Sequence, residues 1–306
     1  MITALRERPA DARVALVIEG GGMRGAVSGG MALALHDLGL GDAFDDAYGS
    51  SAGTLNAMWL VSGRVREGIP TWVDPTLVGT LIDRRRALRR RPVVDVRGLV
   101  EERYEQLSPG LFGAVLASRT RLHPIATEVE TGAAVDLHRE IRDERTLRLA
   151  LRASAAIPLL AGPPVELNGR RLIDAGLSAA IPFRAALAGG ATHVLVLRSR
   201  RRGESVTRPG RLGGTVTATA LGRLSPALRT AFLTRVEREG EDEALLARHD
   251  AEPGLEPHIL SIRPGPASPV PGRLERDVRI VRAGLEAGLA AARAVLAQPG
   301  VTRPVS

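Results

Sequence analysis

The sequence predicts an α/β domain with a mostly parallel central sheet. Short apolar segments of strand type alternate with segments of helical periodicity, which is the pattern of parallel strands joined by helices. The first strand segment, ARVALVIE (residues 12–19), is apolar and rich in β-branched side chains, as expected for a strand buried on both faces. With 306 residues, of which 44% are hydrophobic, the chain can bury a substantial core. We expect a single domain over residues 10–300.

The next segments continue the alternation in order. Residues 24–40 have helical spacing with one apolar stripe, formed by Val27, Met31, Leu35 and Leu38. The stretch DDAYGSSAGTLNAMWLVSG (residues 45–63) predicts a short strand, a tight turn and a helix that ends near Ser62. Residues 64–112 mix helical fragments with proline and arginine clusters, and they predict an irregular surface insertion.

Two pairs of strands are predicted in the middle of the chain. LHPIATEVETGAAVDL (residues 122–137) predicts two strands joined by a turn. Helical periodicity returns from about residue 144 to residue 153. PVELNGRRLIDAG (residues 164–176) predicts a hairpin in which Asn168 and Gly169 form a type I′ turn.

The C-terminal third is predicted to be mainly helical. THVLVLRS (residues 192–199) is the last clear buried strand. Residues 200–225 are rich in arginine, glycine and threonine, and they predict a mobile loop. Residues 226–297 then contain C-terminal helices, with amphipathic segments around residues 226–248 and 275–297. We expect the tail beyond residue 200 and the 64–112 insertion to supply the side chains that shape an acyl pocket.

The charge of the chain comes from arginine. The net charge is +8 and no lysine occurs. The densest clusters are RRRALRRR (residues 84–91) and RSRRR (residues 198–202), which predict either a solvated surface or a contact with an anionic membrane. Nucleic acid is not expected as a partner, because aromatic residues that would stack on bases make up only 3% of the chain.

The composition also predicts a cellular location. The chain has no cysteine, so disulfides and thiolate chemistry are excluded. No segment reaches the roughly 18 to 20 apolar residues that span a bilayer, and the first residues, MITALRERPADAR, lack the apolar core of a secretory signal. We therefore expect a cytoplasmic protein with, at most, peripheral membrane contact.

A glycine-rich loop joins the first strand to the first long helix. Backbone N–H groups at such a helix mouth can hold either a phosphate or the oxyanion of a reacting ester. The spacing Gly20-x-Gly22-x-x-Gly25 fits a dinucleotide-binding loop, which also requires an acid at the carboxyl end of the second strand. Asp45 and Asp46 have about the right distance but precede that strand. A nucleotide-binding protein therefore remains an alternative with less support.

A possible nucleophile follows the second strand. Gly49-Ser50-Ser51-Ala52-Gly53 is a G-x-S-x-G pattern between a predicted strand and a predicted helix. The turn needs small residues on both sides, and it lifts the Ser51 hydroxyl to the helix N-terminus, where negative charge is favoured. The alternative is that Ser50 or Ser51 only caps the helix. A serine nucleophile also needs oxyanion donors, which the glycine loop could supply.

Aspartate and histidine both remain candidates for the base that activates the serine. Asp174 ends a strand just before Gly176, and the carboxyl ends of strands are where open α/β sheets bind ligands. Its alternative role is to cap its own turn. A Ser-Asp-His order is also present, because His193, His249 and His258 all follow Asp174, but none of them has an obvious orienting partner.

Four motifs in order resemble the patatin-like phospholipases, which are serine lipid acyl hydrolases. The G-G-G-x-R-G loop of the family corresponds to Gly20, Gly21, Gly22, Met23, Arg24 and Gly25. The G-x-S-x-G elbow has Gly49 and Gly53 around Ser51. The stretch ASAAIPLLAGPPV (residues 153–165) is similar to A-S-x-A-x-P, and the D-G-[GA] segment appears as Asp174-Ala175-Gly176. The resemblance covers roughly residues 13–198.

The resemblance implies a three-layer α/β/α sandwich and a Ser–Asp dyad without histidine. Ser51 would be the nucleophile and Asp174 the base, with the oxyanion held by amides of Gly21, Gly22 and the neighbouring loop. No metal or cofactor would be needed. The implied substrate is a lipid ester cleaved through an acyl-serine intermediate. A general carboxylesterase or thioesterase acting on soluble esters remains the alternative within the same chemistry.

Two features of the motifs need the structure for their interpretation. Ala175 stands where the family has glycine, and an alanine would cost about 1 kcal/mol if that position required a positive φ. Arg24 could brace the glycine loop or pair with a phosphate of the substrate.

Overall fold

The computed structural model describes residues 2–7, 9, 11–204 and 210–297. Within these residues eight strands form one sheet: β1 Val14–Ile18, β2 Asp46–Ser50, β3 Arg121–Glu128, β4 Ala134–Asp136, β5 Val165–Leu167, β6 Arg170–Asp174, β7 His193–Leu197 and β8 His258–Ile262. The strand order is β5-β6-β3-β2-β1-β7-β8, and β4 pairs with β3. Pairings among β1, β2, β3, β7 and β8 are parallel, whereas those of β4, β5 and β6 are antiparallel.

Helices surround the sheet. In chain order they are α1 Ile2–Glu7, α2 Gly25–Asp37, α3 Ala52–Val61, α4 Val65–Gly68, α5 Pro75–Leu81, α6 Val96–Gly98, α7 Tyr104–Leu107, α8 Leu111–Leu116, α9 Glu144–Ser154, α10 Phe183–Ala188, α11 Arg211–Leu224, α12 Pro226–Ala251 and α13 Val278–Leu296. The predicted insertion at residues 64–112 thus contains short helices, α4 to α8, joined by turns. Among the described residues, no helix combines the length and the apolarity needed to cross a bilayer.

The two faces of the sheet are covered by different helices. Alternate residues of a strand point to opposite faces. Val14, Leu16 and Ile18 of β1 pack in a core that includes α2, α3 and α13, whereas Ala15 and Val17 pack in a core that includes α10 and α12. The architecture is therefore a three-layer α/β/α sandwich with a mostly parallel sheet, and the predicted fold class is confirmed.

Glycines allow α2 and α13 to pack in backbone contact. A Cβ atom at Gly30 would lie 2.0 Å from the carbonyl oxygen of Leu285, and one at Gly288 would lie 1.9 Å from that of Val27. Such distances exclude any side chain at either position. Because α2 begins where the glycine loop ends, this contact anchors the loop on the sheet.

Two expectations about the C-terminal third were wrong. The loop predicted over residues 200–225 is a helix from Arg211 to Leu224, while residues 205–209 lie outside the described part of the chain. Burial of Ala218 and Leu221 outweighs the weak helix propensity of this glycine- and threonine-rich segment. The strand at residues 192–199 is also not the last one, because β8 follows it at the sheet edge. The pattern of β8 is only partly apolar, since its faces are incompletely buried.

Candidate active site

Ser51 lies in a sharp turn between β2 and α3. Its φ of 53° and ψ of −126° are strained for a residue with a side chain. The turn is crowded on both sides: a Cβ at Gly49 would lie 2.3 Å from the Cα of Thr54, and one at Gly53 would lie 2.3 Å from the carbonyl oxygen of Ile18. The glycines that flank the serine are therefore required by space. The predicted strand–turn–helix arrangement is present here.

The Ser51 hydroxyl donates a hydrogen bond to the carboxylate of Asp174. The Oγ to Oδ2 distance is 2.6 Å, and each residue is 6% exposed. Asp174 is held by its surroundings: its amide donates to the Ala156 carbonyl over 3.0 Å, and its Oδ1 accepts from the Gly176 amide over 2.7 Å. Thr127 Oγ1 donates to the Asp174 carbonyl over 2.9 Å. Both oxygens of the carboxylate are thus oriented before any substrate arrives.

The environment of Asp174 makes its carboxylate more basic. Burial raises its pKa, although the hydrogen bonds from Ser51 and Gly176 and the charge of Arg273 act in the opposite direction. The net direction is upward. A carboxylate with a raised pKa is a better proton acceptor than an ordinary aspartate, provided that it is ionised.

Ser154 supports the backbone of the turn. Its Oγ accepts a hydrogen bond from the Ser51 amide over 3.1 Å and lies 2.6 Å from Thr54 Oγ1. Ser154 is the last residue of α9 and belongs to the A-S-x-A-x-P stretch. The sequence alone predicted no role for this stretch. The contact links the end of α9 to the elbow.

Most amides of the glycine loop are used by the fold. Four of the six donate to carbonyls: Gly20 to Ala180, Met23 to Arg273, Arg24 to Gly21, and Gly25 to Gly22 and Met23. Within the described part of the chain, the amides of Gly21 and Gly22 have no such acceptor. Two donors are therefore left at the mouth of the loop for a negatively charged oxygen.

The conformation of this loop requires glycine at position 22. Gly22 has a φ of +60°, and a Cβ there would lie 2.4 Å from the Arg273 carbonyl oxygen. The Arg24 guanidinium pairs with Glu204 over 2.9 Å. This ion pair favours a role for Arg24 in bracing the glycine loop over a role in pairing with a phosphate of the substrate.

Ala175 fits its position without strain. It begins a 3-10 turn, Ala175–Leu177, it is fully buried, and its φ is not positive. Gly176, the next residue, also lies outside the left-handed region. The alanine therefore does not cost the strain energy that a positive φ would impose.

An apolar cavity opens beside Ser51. Its lining is almost entirely apolar, as is usual for ligand pockets. Its walls come largely from the 64–112 insertion, with Trp72, Leu77, Val78, Leu81, Ile82, Val94, Val96, Leu99 and Tyr104 among the lining residues. Sequence periodicity could not locate this cavity, because its walls come from several short helices and turns.

A second, more polar cavity opens on the other side of the serine. Ser51, Asp174 and the glycine loop border it, and the remaining walls include Leu177, Arg200, Thr217, Leu221, Phe232, Arg235 and Arg273. Thr217 and Leu221 belong to α11 and Phe232 to α12, so the C-terminal helices contribute to the site. The sequence predicted none of Thr217, Leu221 and Phe232 as site residues.

Only part of the second arginine cluster, residues 198–202, lies at the surface: Arg202 is exposed and Arg201 is half-buried. Arg198 and Arg200 are buried, and their Nε atoms pair with Glu19 over 3.0 and 3.2 Å. Glu19 also accepts from the Ser199 amide over 2.8 Å, and Ser199 Oγ donates to the Gly20 carbonyl over 2.8 Å. These contacts anchor the start of the glycine loop. Arg198 and Arg200 depart from the expected surface position because they directly follow the central strand β7 and pack beside the end of β1.

The histidines of the alternative triad have other positions. His193 and His258 begin β7 and β8, and their tilted rings have centroids 4.8 Å apart. They lie at the N-terminal ends of parallel strands, whereas Ser51 follows the C-terminal end of β2. His249 lies in α12 and is buried. The hydroxyl of Ser51 donates its hydrogen bond to the Asp174 carboxylate and not to a histidine.

The acid required by the dinucleotide alternative lies at the wrong edge of the sheet. Asp46 begins β2 and pairs with Arg13, Arg121 and His123 over 2.9, 2.7 and 2.9 Å. Burial alone would raise the pKa of Asp46, but these three partners lower it well below its usual value. Asp46 therefore forms a buried ion cluster far from the glycine loop.

The chain was compared with known proteins. The family model of the patatin-like phospholipases matches residues 16–187. No curated protein sequence matches the chain. Among solved structures, the chain is similar to VipD from Legionella pneumophila, with a TM-score of 0.44, 12% identity, and coverage of 93% of this chain and 67% of that chain. Because the family model spans more than half of its length, the chain belongs to the patatin-like phospholipase family.

Proposed function

We propose that this protein is a lipid acyl hydrolase that cleaves carboxylic ester bonds of phospholipids or related lipids with a Ser51–Asp174 dyad. Membership of the patatin-like family supports lipid acyl hydrolysis in general. The observation that carries the proposed mechanism is the 2.6 Å hydrogen bond from Ser51 Oγ to a buried carboxylate at the junction of two cavities.

In the first step, Asp174 accepts the proton of Ser51 as Oγ attacks the carbonyl carbon of the ester. The amides of Gly21 and Gly22 are the available donors for the oxyanion that forms, and such a donor contributes roughly 3–4 kcal/mol to the transition state. The tetrahedral intermediate then collapses. The bond to the alcohol oxygen breaks, the alcohol receives the proton from Asp174, and the acyl group stays on Ser51.

The second step releases the acid. Asp174 accepts a proton from a water molecule as the water oxygen attacks the acyl-serine carbonyl. When this intermediate collapses, the bond to Ser51 Oγ breaks and the serine recovers its proton from Asp174. Each turnover consumes one water and yields one alcohol and one carboxylic acid.

The apolar cavity supports a lipid acyl chain as the acid portion of the substrate. Leu55, Leu81, Val96 and other apolar side chains line it, and it opens at Ser51. Burial of each methylene group in such a cavity contributes about 0.8 kcal/mol. A long acyl chain would therefore bind more tightly here than the short acids of common soluble esters.

Peripheral contact with an anionic membrane is also part of the proposal. Leu88 is 88% exposed within the first arginine cluster, residues 84–91, in which most arginines are exposed. Leu159 is 53% exposed, and its neighbours Pro158 and Leu160 line the polar cavity. An exposed leucine among arginines suits the headgroup region of an anionic bilayer.

A fluorophosphonate probe tests the nucleophile. We expect labelling of the wild type and no labelling of Ser51→Ala. Ser50→Ala is the matched control, because Ser50 is a buried neighbour whose Oγ has no partner in the described structure. Labelling of Ser51→Ala would contradict the assignment. An unlabelled wild type that binds NAD or ATP would favour the nucleotide-binding alternative.

A panel of esters then tests the substrate class. Phospholipid, lysophospholipid, monoacylglycerol and p-nitrophenyl esters would be compared by kcat/KM. We expect long-chain lipid esters to be preferred over short-chain p-nitrophenyl esters. Activity confined to the short soluble esters would support the carboxylesterase alternative.

A further inference from the structure

Three arginines from separate parts of the chain line the polar cavity. Arg200 follows β7, Arg235 lies on α12 and Arg273 precedes α13. The same cavity is bordered by Ser51 and Asp174. Its walls therefore combine the proposed catalytic groups with three guanidinium groups, a composition that distinguishes it from the apolar cavity.

Positive charge exceeds negative charge in the walls of this cavity. Arg200 pairs with Glu19 over 3.2 Å and with Glu239 over 2.6 Å, and Arg235 shares Glu239 over 3.3 Å. Glu19 is also used by Arg198. Arg273 has no carboxylate within ion-pair distance among the described residues. The carboxylates present are thus shared between arginines, and one guanidinium remains without a counter-ion.

A buried donor also lacks an acceptor. Arg200 is 5% exposed, and its Nη1 atom is buried without a hydrogen-bond partner in the described part of the chain. The Nε atom of Arg235, by contrast, faces the Glu239 carboxylate over 3.3 Å. Buried donors are nearly always satisfied in folded proteins, so Arg200 Nη1 is a candidate donor to a bound anion.

Arg273 lies close to both the other arginines and the proposed base. Although the residue as a whole is exposed, its pKa is lowered, first by desolvation against the cavity wall and then by the positive charges of Arg235 and Arg200. Its own charge lowers the pKa of Asp174. An anion bound among these groups would relieve the repulsion between the arginines.

The two cavities meet at the serine. Ser51, Gly22 and Arg273 border both of them, whereas the arginine pair Arg200 and Arg235 borders only the polar one. An ester whose carbonyl lies at Ser51 must extend in both directions. With the acyl chain in the apolar cavity, the alcohol portion extends into the polar cavity.

We infer that the polar cavity binds a phosphate group carried by the alcohol portion of the substrate, so that the preferred substrates are anionic acyl esters. This inference rests on the proposed acyl hydrolase function. Guanidinium groups bind phosphate with charge-assisted, often bidentate hydrogen bonds. Arg273 and Arg200 supply the donors, and Arg235 adds charge. A neutral acylglycerol would leave these donors unsatisfied.

The test compares two substrates that differ only in the phosphate. The enzyme would be assayed on 1-oleoylglycerol 3-phosphate and on 1-oleoylglycerol, each dispersed in the same neutral detergent micelles. We expect the wild type to prefer the phosphate ester by about tenfold or more in kcat/KM, because a charged hydrogen bond lost from a binding site typically costs at least this factor.

Arg273→Gln should reduce this preference at least fivefold, and Arg235→Gln provides a second variant if the first does not fold. The same nucleophile and base act on both substrates. A general effect on catalysis therefore cancels in the ratio of kcat/KM for the phosphate ester to kcat/KM for the neutral ester. Arg276→Gln is the matched control: Arg276 is an exposed arginine three residues away that does not line the cavity. It should leave the ratio unchanged.

The outcomes separate this inference from the proposed function. Equal hydrolysis of the two esters, with a ratio unaffected by Arg273→Gln and Arg235→Gln, would overturn the phosphate site and leave the hydrolase intact. An equal fall of the ratio in Arg276→Gln would show a general charge effect and would also overturn it. Failure to hydrolyse either ester or to react with the fluorophosphonate would instead remove the proposed function itself.

Discussion

Ser51 Oγ and Asp174 Oδ2 lie 2.6 Å apart, although 123 positions separate the two residues in the chain. Strand register explains the contact. Ser50 pairs with Ile125 of β3, and Asp174 pairs with the next residue of β3, Ala126. Strand β6 is antiparallel to β3, so it brings its carboxyl end back to the level at which β2 ends.

Removal of the proposed base should reduce activity strongly. For Asp174→Asn we expect kcat/KM for a p-nitrophenyl ester to fall by about 10²–10⁴-fold, the usual contribution of a positioned general base. His249→Ala and His258→Ala should retain near wild-type values, because among the described residues the Ser51 hydroxyl donates to Asp174 and neither histidine hydrogen-bonds to it. Hydrolysis that survives Asp174→Asn but is lost in either histidine variant would replace the dyad with a triad.

The pH profile should carry the signature of the buried carboxylate. Asp174 must be ionised to accept a proton, and burial raises its pKa. The acid limb of kcat/KM should therefore lie above the ordinary aspartate value of about 3.9. Steady-state kinetics from pH 3.5 to pH 8 measures it, with circular dichroism to exclude acid unfolding. An acid limb at or below the ordinary value would contradict the inferred environment of Asp174.

The raised pKa of Asp174 also predicts that its ionised carboxylate destabilises the fold near neutral pH. A carboxyl group whose pKa is raised by folding stabilises the fold below its unfolded pKa, and this contribution is lost as pH rises through the folded pKa. The neutral Asp174→Asn should therefore have a higher Tm than the wild type near pH 7.5, and the difference should shrink towards pH 4. Thermal unfolding at both pH values provides the check. A Tm difference that grows on acidification would refute the sign of the shift.

Glycine at the elbow should be irreplaceable, in contrast to a glycine on an exposed helix. Gly53→Ala would place a Cβ 2.3 Å from the Ile18 carbonyl oxygen, and such overpacking costs about 1–3 kcal/mol or more. Gly240→Ala, in α12, meets nothing within 4 Å and should stabilise its helix by up to about 1 kcal/mol. Denaturant unfolding and probe labelling compare the two. A fully labelled and stable Gly53→Ala would disprove the steric argument.

Membrane binding should depend on the first arginine cluster. We expect binding to vesicles with anionic lipid that weakens as salt increases. Arg84→Gln with Arg85→Gln should reduce it several-fold, since each arginine near such a surface contributes about 1 kcal/mol. Arg142→Gln with Arg145→Gln is the control, because these exposed arginines lie near the start of α9, whose other end meets Ser51. Equal binding to neutral vesicles at all salt concentrations would contradict the proposal that the first arginine cluster binds an anionic membrane.

The elements of the site could be identified from the sequence because their causes are local. The glycines around Ser51 are required by the tight turn, and the apolar strands before each motif follow from burial on both faces. The order of four motifs then indicated the family. The prediction for Asp174 uses its position at the end of a strand, and that strand, β6, is antiparallel to its neighbours, so the rule for parallel strands does not explain its position.

The surroundings of the site were decided by the tertiary structure. Strand register joins Ser51 to Asp174, and carbonyls from distant segments determine that the amides of Gly21 and Gly22 stay available. The burial of Arg198 and Arg200, the helix at Arg211–Leu224 and the cavity walls from residues 64–112 also depend on long-range packing. Such packing produces no periodic pattern in the sequence, because each residue contacts neighbours that are remote along the chain.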